Sequence, residues 1–348
     1  MPRNAMRVAM YYSNSDIRLE EMPVPEIGDD EILMRVEACG ICGSDVMEWY
    51  RRDKVPLVLG HEVAGTVEMA GDGVDRYKPG DRIVASHHVP CNTCDYCHHG
   101  HHTACKSLQG GTNFHPGGFA EYVRLPAINV DRGVYPIPED VSFEEATFAE
   151  PLACVLRGQK KMAMSHGVSV FVIGAGISGL LHVSLARAMG AGRIIAADIS
   201  EYRMDMAMRM GADFSVASDK DLAANLIKAN GGKKAGYVIV CTGALPAVKA
   251  SLDAVDKGGT VMFFAPTDEG QTFPLSINDV FWKKEVTLTT TYAAAPADHV
   301  AALELIRAGS VPVAELITHR FGLEDTQKGF TLVAGGGKSV KVIVQPWK

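Results

Sequence analysis

Four cysteines, Cys91, Cys94, Cys97 and Cys105, follow the spacing C-x2-C-x2-C-x7-C. Four thiolates close a tetrahedral shell around Zn²⁺ and leave no position for a reactant, so such a site is structural. The same ligands also suit an iron–sulfur cluster. His98, His99, His101 and His102 crowd the same loop and read as a solvated segment, with adventitious metal binding as the alternative. Elsewhere the chemistry-bearing residues are scattered. Gly40-Ile41-Cys42-Gly43-Ser44-Asp45 supplies a thiolate, Gly60-His61-Glu62 an imidazole and a carboxylate, and Phe148-Ala149-Glu150-Pro151 a further carboxylate. Each is unremarkable alone, since a single histidine near a turn is usually a core or surface residue.

A third motif is Gly174-Ala175-Gly176-Ile177-Ser178-Gly179, preceded by the apolar run Val168–Ile173 and followed by a helical stretch to Met189. G-x-G-x-x-G is weak by itself, but a strand before it, a helix after it and an acid at the expected distance make a dinucleotide fingerprint. Gly174 permits the tight turn, Gly176 lets the backbone approach a pyrophosphate, and Gly179 lets the helix pack on the strand. Free N–H groups at the start of that helix, at Ile177 and Ser178, face the phosphates. Asp198 ends the next strand and is placed to accept from the ribose hydroxyls. It also disfavours NADP, because two like charges 4 Å apart repel by about 4 kcal/mol at an effective dielectric near 20. Arg203 would offset this only by facing the phosphate, so NAD is the expected cofactor.

These motifs need two kinds of scaffold. Short strands broken by turns are expected at Met6–Met10, Ile17–Glu20, Ile32–Cys39, Ala64–Met69 and Arg82–Ala85, an antiparallel barrel. From about Gly167 strands alternate with helices: Arg193–Asp198, Phe214–Val216, Tyr237–Cys241, Thr260–Ala265 and Val286–Thr291 are strands, and Leu222–Ala229 and Pro246–Asp256 are helical. That alternation implies a parallel sheet with helices on both faces. His299–Ala308 is helical and Lys338–Val344 a last strand, expected to return to the first domain. The fold class is thus α/β, with a β-barrel at residues 1–153 carrying a cysteine lobe at 88–107, a doubly wound domain at 154–291, and a return at 292–348. The length of 348 residues suits two domains, and the 47% apolar content suffices for two cores.

The formal charge of −7 and the lack of a basic stripe argue against a nucleic-acid partner. No run of about eighteen apolar residues suggests a membrane span, and Met1–Met10 has no signal-peptide pattern. A cytoplasmic location is expected, with the eight cysteines as thiols or metal ligands and not disulfides.

Taken together, the motifs resemble those of the zinc-containing medium-chain dehydrogenases, particularly the polyol and threonine dehydrogenase branch. Gly60-His61-Glu62-Val63-Ala64-Gly65 with Gly71 and Val74 is similar to that family's zinc signature, and Gly117-Gly118-Phe119-Ala120-Glu121-Tyr122 to its GroES-like barrel. The resemblance spans essentially the whole chain. It implies that Cys42, His61 and Glu62 surround a catalytic zinc, and that Glu150 either ligates it or holds its water. It further implies that Asp45 orients His61 and that Ser44 passes on the alcohol proton. The implied reaction is hydride transfer between a secondary alcohol and NAD in a dry cleft between domains, on a polyol, sugar alcohol, diol or hydroxy-amino acid. L-Threonine 3-dehydrogenase and 2,3-butanediol dehydrogenase are the nearest alternatives. An alkoxide is a far better hydride donor than an alcohol. Zinc lowers the pKa of bound water from about 15.7 to about 7, and a like shift for an alcohol corresponds to roughly 12 kcal/mol. The resemblance also implies two zinc ions per chain and a homodimer or homotetramer formed through Val286–Thr291.

Two departures stand out. Many relatives carry a proton-relaying histidine five positions after the ligand cysteine, where this chain has Met47. Sorbitol-type relatives often carry an arginine after the last parallel strand, where this chain reads Thr291-Tyr292-Ala293-Ala294-Ala295. Tyr292 and Trp49 are candidates for the substrate pocket or for ordinary packing. Cys39, Cys154 and Cys241 read as small buried hydrophobes. The rival readings are a zinc-free reductase of the same superfamily, which would lack the catalytic ligands, and a nucleotide-binding sensor or structural protein, in which they would be idle.

Overall fold

The computed structural model describes residues 4–110 and 114–348; the first three residues of the Met1–Met10 stretch lie outside the described residues. The strands in chain order are β1 (Ala5–Ser13), β2 (Asp16–Pro23), β3 (Ile32–Gly40), β4 (Leu57–Val58), β5 (Glu62–Ala70), β6 (Arg82–Ala85), β7 (Tyr122–Leu125) and β8 (Val134–Pro136). They continue with β9 (Val170–Ile173), β10 (Ile194–Asp198), β11 (Phe214–Ala217), β12 (Ala235–Val240), β13 (Val255–Phe263), β14 (Thr287–Thr290), β15 (Ile317–Gly322) and β16 (Lys341–Gln345). The chain divides into two compact units: Met1–Ala153 with Ala293–Ala308 and Val313–Lys348, and Cys154–Tyr292 with Gly309–Pro312.

In the first unit one sheet runs β15-β16-β3-β5-β6-β8, with β7 also on β3, and a smaller sheet runs β2-β1-β4. β3 is central because both its faces are apolar. Ile32, Met34 and Val36 enter the main core while Leu33 enters a second one, the period-2 alternation of a pleated strand. A register irregularity between Val36 and Ala38 then reverses the parity, so that Cys39 and Ile41 join the main core. A bulge of this kind re-aims the side chains beyond it. β5 lies antiparallel to β3 with Glu62 opposite Gly40, and β16 lies on the other side with Ile343 opposite Gly40. Three segments distant in sequence therefore meet at the end of β3.

The second unit is a six-stranded parallel sheet in the order β11-β10-β9-β12-β13-β14. β9 and β10 are wholly buried, as apolar strands covered on both faces must be. Counting from β9 the order is 3-2-1-4-5-6, and the direction of winding reverses between β9 and β12. Open sheets of this kind bind ligands at that switch point, outside the carboxyl ends of the strands. Among the described residues no helix is long and apolar enough to cross a membrane.

Most expected elements agree to within a few residues. β13 begins at Val255, directly after the helix Leu245–Ala254. Its first residues include exposed Asp256, Lys257 and Gly258, so the apolar pattern shows only its second half. The short strands β4, β7, β8 and β15 and the helices Ala149–Lys161 and Thr326–Gly335 are additions to the expected set. The first of these helices takes Pro151 in its opening turn, where a missing N–H costs little.

Candidate active site

The four cysteines of the lobe lie with their sulfur atoms all within 4.8 Å of one another. Cys94 Sγ to Cys97 Sγ is 3.6 Å and Cys105 Sγ to Cys91 Sγ is 3.5 Å. Zn–S bonds of about 2.3 Å in a tetrahedron set sulfurs roughly 3.8 Å apart, so this cradle fits zinc closely. Backbone N–H groups of Cys91 and Thr93 point at Cys105 Sγ and Cys91 Sγ. Hydrogen bonds from Thr93 draw the Cys91 thiol down to about 5, while burial pushes Cys97 up to about 12. Cys97, Cys105 and Leu108 form a small buried cluster. His98, His99 and His101 are exposed, and His99 Nδ1 lies 2.7 Å from its own helix's Asp95 carbonyl. The metal-type sets found among the described residues include none of these histidines.

The second set is Cys42, His61 and Glu62, whose ligand atoms also lie within 4.8 Å of one another. A thiolate, an imidazole and a carboxylate are the mixed donors of zinc sites that keep a position open. All three come from the first unit: Cys42 from the turn after β3, His61 from just before β5, and Glu62 from the first position of β5. Asp45, fully buried, accepts the Cys42 backbone N–H at 3.0 Å and lies 3.4 Å from His61 Nδ1 and 3.7 Å from Arg51. Burial disfavours charge on both Asp45 and His61, yet their mutual attraction outweighs it. The His61 pKa stands well above its usual value and that of Asp45 below. Ser44 Oγ donates to Cys42 Sγ at 3.4 Å, so its hydroxyl is turned toward the sulfur. Glu150 is buried on the helix Ala149–Lys161 but stands outside the close triad. Its charge nonetheless acts on Lys341.

Sequence reasoning passed over three residues here. Lys341 of β16 is fully buried and paired with Glu62. Burial works against its charge, but Glu62, Cys42 and Glu150 hold its pKa up. The available signal was a lysine inside the apolar run Val340–Val344. His87 lies with its ring 4.6 Å from that of His61, and His88 3.7 Å from His87. Burial keeps both neutral, with His88 drawn down to about 3. Of the spare cysteines, Cys39 is buried as expected, whereas Cys154 and Cys241 are only partly so. Cys241 sits just beyond β12, where the chain leaves the sheet. Trp49 packs on Tyr50, and Tyr292 is 48% exposed.

In the second unit Gly174 follows β9 with φ +96°, a conformation that favours glycine. A Cβ on Gly179 would overlap the Gly174 carbonyl oxygen, whereas one on Gly176 would meet nothing within 4 Å. The motif thus has one glycine for the turn, one for helix packing, and one facing open space. The helix Ile177–Ala188 has no side-chain cap, so its first N–H groups, at Ile177 and Ser178, have no capping side chain. Asp198 accepts from Ala175 N–H at 2.7 Å and Ser200 N–H at 2.9 Å. It therefore braces the glycine turn, and a carboxylate has further lone pairs to offer. Arg203 lies one turn further on, in the helix Glu201–Arg209.

Comparison with known proteins agrees with this architecture. Residues 28–139 match the alcohol dehydrogenase GroES-like domain, and residues 178–308 match the zinc-binding dehydrogenase domain. Mouse sorbitol dehydrogenase is 32% identical over 95% of this chain and 93% of its own length. L-Threonine 3-dehydrogenase of Bacillus licheniformis is 33% identical over 94% of each. A zinc-binding dehydrogenase of Sinorhizobium meliloti 1021, solved with NADP, superposes with a TM-score of 0.87 at 28% identity, covering 99% of this chain and 100% of that one. The chain belongs to the zinc-dependent medium-chain alcohol dehydrogenase family, and its fold is a GroES-like domain joined to a Rossmann-type parallel sheet.

Proposed function

We propose that this protein oxidises a secondary alcohol on a small polar molecule to a ketone, with NAD as hydride acceptor. The observation that carries this reading is the Cys42–His61–Glu62 triad, gathered within 4.8 Å from two separate segments. A zinc ion held by these residues would act as a Lewis acid on the substrate oxygen. Asp45 fixes the tautomer and orientation of His61, and such partners raise ligand basicity. Ser44 takes the alcohol proton, and Met47 cannot carry it onward, so the exit runs through water near Glu62 or Glu150 or through the ribose hydroxyls of the cofactor; a pH–rate profile unchanged by Glu150→Gln would count against the Glu150 route. Cys91, Cys94, Cys97 and Cys105 hold a second, structural zinc. In domain terms, residues 1–153 and 292–348 supply catalysis, with the lobe at 88–107, and 154–291 bind the dinucleotide.

On the cofactor side, Gly174, Gly176, Ile177, Ser178 and Gly179 cradle the pyrophosphate, and Asp198 and Arg203 frame the adenosine ribose. The S. meliloti neighbour was solved with NADP, but the Asp198 carboxylate supports NAD here. Asp198→Asn should raise the NADP to NAD ratio of kcat/KM at least tenfold, since about 1.4 kcal/mol already gives that factor. A ratio that stays put would point to Arg203 as the determinant.

The substrate reading is a polyol, diol or hydroxy-amino acid, in keeping with the sorbitol and threonine dehydrogenase relatives. The lack of an arginine in Thr291–Ala295 weighs against a sorbitol-like chain. A homo-oligomer is supported by β14, an edge strand of the six-stranded order, and by exposed Leu275, Ile277 and Trp282 before it. The cytoplasm is the proposed location. The deciding experiment is NADH absorbance across polyols, sugar phosphates, 2,3-diols and L-threonine, with zinc content measured in parallel. Tight NADH binding with no turnover on any of them would favour a sensor instead.

A further inference from the structure

We propose that Lys341 is a positioning residue of the active site, the fixed cation that holds the Glu62 carboxylate in the ligand set and offsets its charge. This rests on the zinc reading of Cys42, His61 and Glu62 given above.

The geometry is specific. Lys341 and Glu62 are both essentially inaccessible to solvent, at 0% and 1% for the side chains. The lysine ammonium also donates to the Ile41 carbonyl at 3.3 Å, one residue before Cys42. It reaches this point because β16 pairs with the end of β3. Space for the pair exists only because residue 40 is glycine; a Cβ there would strike Glu62 Oε2 and the Lys341 side chain.

Stability alone is a poor reason for such a pair. Taking two charges out of water costs several kcal/mol each, and an apolar pair of like volume often does as well or better. The cation also sits where it has a chemical effect. Cys42 and Glu62 bring two negative charges to a divalent metal and would quench its acidity. Arg51 answers the charge of Asp45 at 3.7 Å, and Lys341 answers that of Glu62. With Lys341 offsetting the Glu62 charge, these ligands would leave a divalent metal more of its acidity toward the substrate oxygen than an unpaired Glu62 would.

The test has two arms. In the first, zinc is stripped with a chelator, and the melting temperatures of wild type, Lys341→Met, Glu62→Gln and the double variant are compared. The proposal expects Lys341→Met to melt lowest, because it strands a buried carboxylate, and the double variant to recover part of the loss. Additive losses would overturn it. This arm needs no active enzyme, so it decides the pairing even if the alcohol panel shows the dehydrogenase reading to be wrong. In the second arm, zinc-loaded Lys341→Met keeps its zinc, but its pH profile of kcat moves alkaline by about one unit or more, as loss of an opposite charge at this range predicts. Lys341→Arg restores the profile. An unmoved profile in Lys341→Met, or an Arg variant no better than Met, would overturn the proposal.

Discussion

The two sulfur-bearing clusters are built on opposite plans. The cysteine lobe takes all its ligands from one loop, with small helices and a few buried side chains around it. The Cys42–His61–Glu62 set is gathered by sheet pairing, and the cation that completes it lies 279 residues beyond Glu62 in the chain. A closed, local, all-thiolate cradle can hold its metal with little help from the fold. An open site of mixed donors depends on the fold for every angle.

Five substitutions would break or sharpen that contrast. The largest effect is expected from Cys42→Ser, which should lower kcat/KM by about a thousandfold or more, because each tenfold needs only about 1.4 kcal/mol of lost transition-state stabilisation. Circular dichroism and the lobe's zinc should be unchanged. Cys97→Ser should do the reverse, expelling the lobe's metal and lowering the melting temperature by more than about 3 °C while leaving turnover per folded molecule near normal. If Cys97→Ser abolished turnover in fully folded protein, the division into structural and chemical centres would fail. Asp45→Asn is expected to weaken zinc at the active site by about 10- to 100-fold, read by chelator competition, with the lobe unaffected. The smallest effect belongs to His98→Ala and His101→Ala. These exposed residues should change neither zinc content nor stability beyond about 0.5 kcal/mol.

Acidity offers a further check on the open site. In zinc-free protein the Asp45–His61 attraction raises the His61 pKa, so its stabilisation is full below the unfolded-state pKa near 6.5 and fades as pH climbs through the folded value. Zinc must displace that proton. Titrating zinc into stripped protein at neutral pH in weak buffer should therefore release acid, and Asp45→Asn should release less.

The same contrast explains what could be read from the residues alone. The cysteine spacing carries its own geometry, and the glycine motif does so nearly as well, since Gly174 and Gly179 answer constraints within one strand-turn-helix. The central parallel strands β9 and β10 were legible because their apolar runs are continuous and buried. The first half of β13 was not, because polar Asp256, Lys257 and Gly258 interrupt its pattern. The triad came into view only through family resemblance, as nothing in its spacing forces Cys42 toward His61. Lys341 stood out as a lysine in an apolar run, but what it pairs with was hidden for a related reason. Its partner is set by β16 pairing with β3, a long-range register that no local pattern encodes, and Asp198's bracing of the Ala175 N–H is hidden in the same way.

Pairing β16 against β3 also sets an order of assembly during translation. The four lobe cysteines emerge from the ribosome early and close together, so they can capture metal while most of the chain is unmade. Glu62 must wait through the synthesis of the entire nucleotide-binding sheet before Lys341 arrives. In a growing chain the four lobe thiols therefore stand together long before Glu62 can meet Lys341.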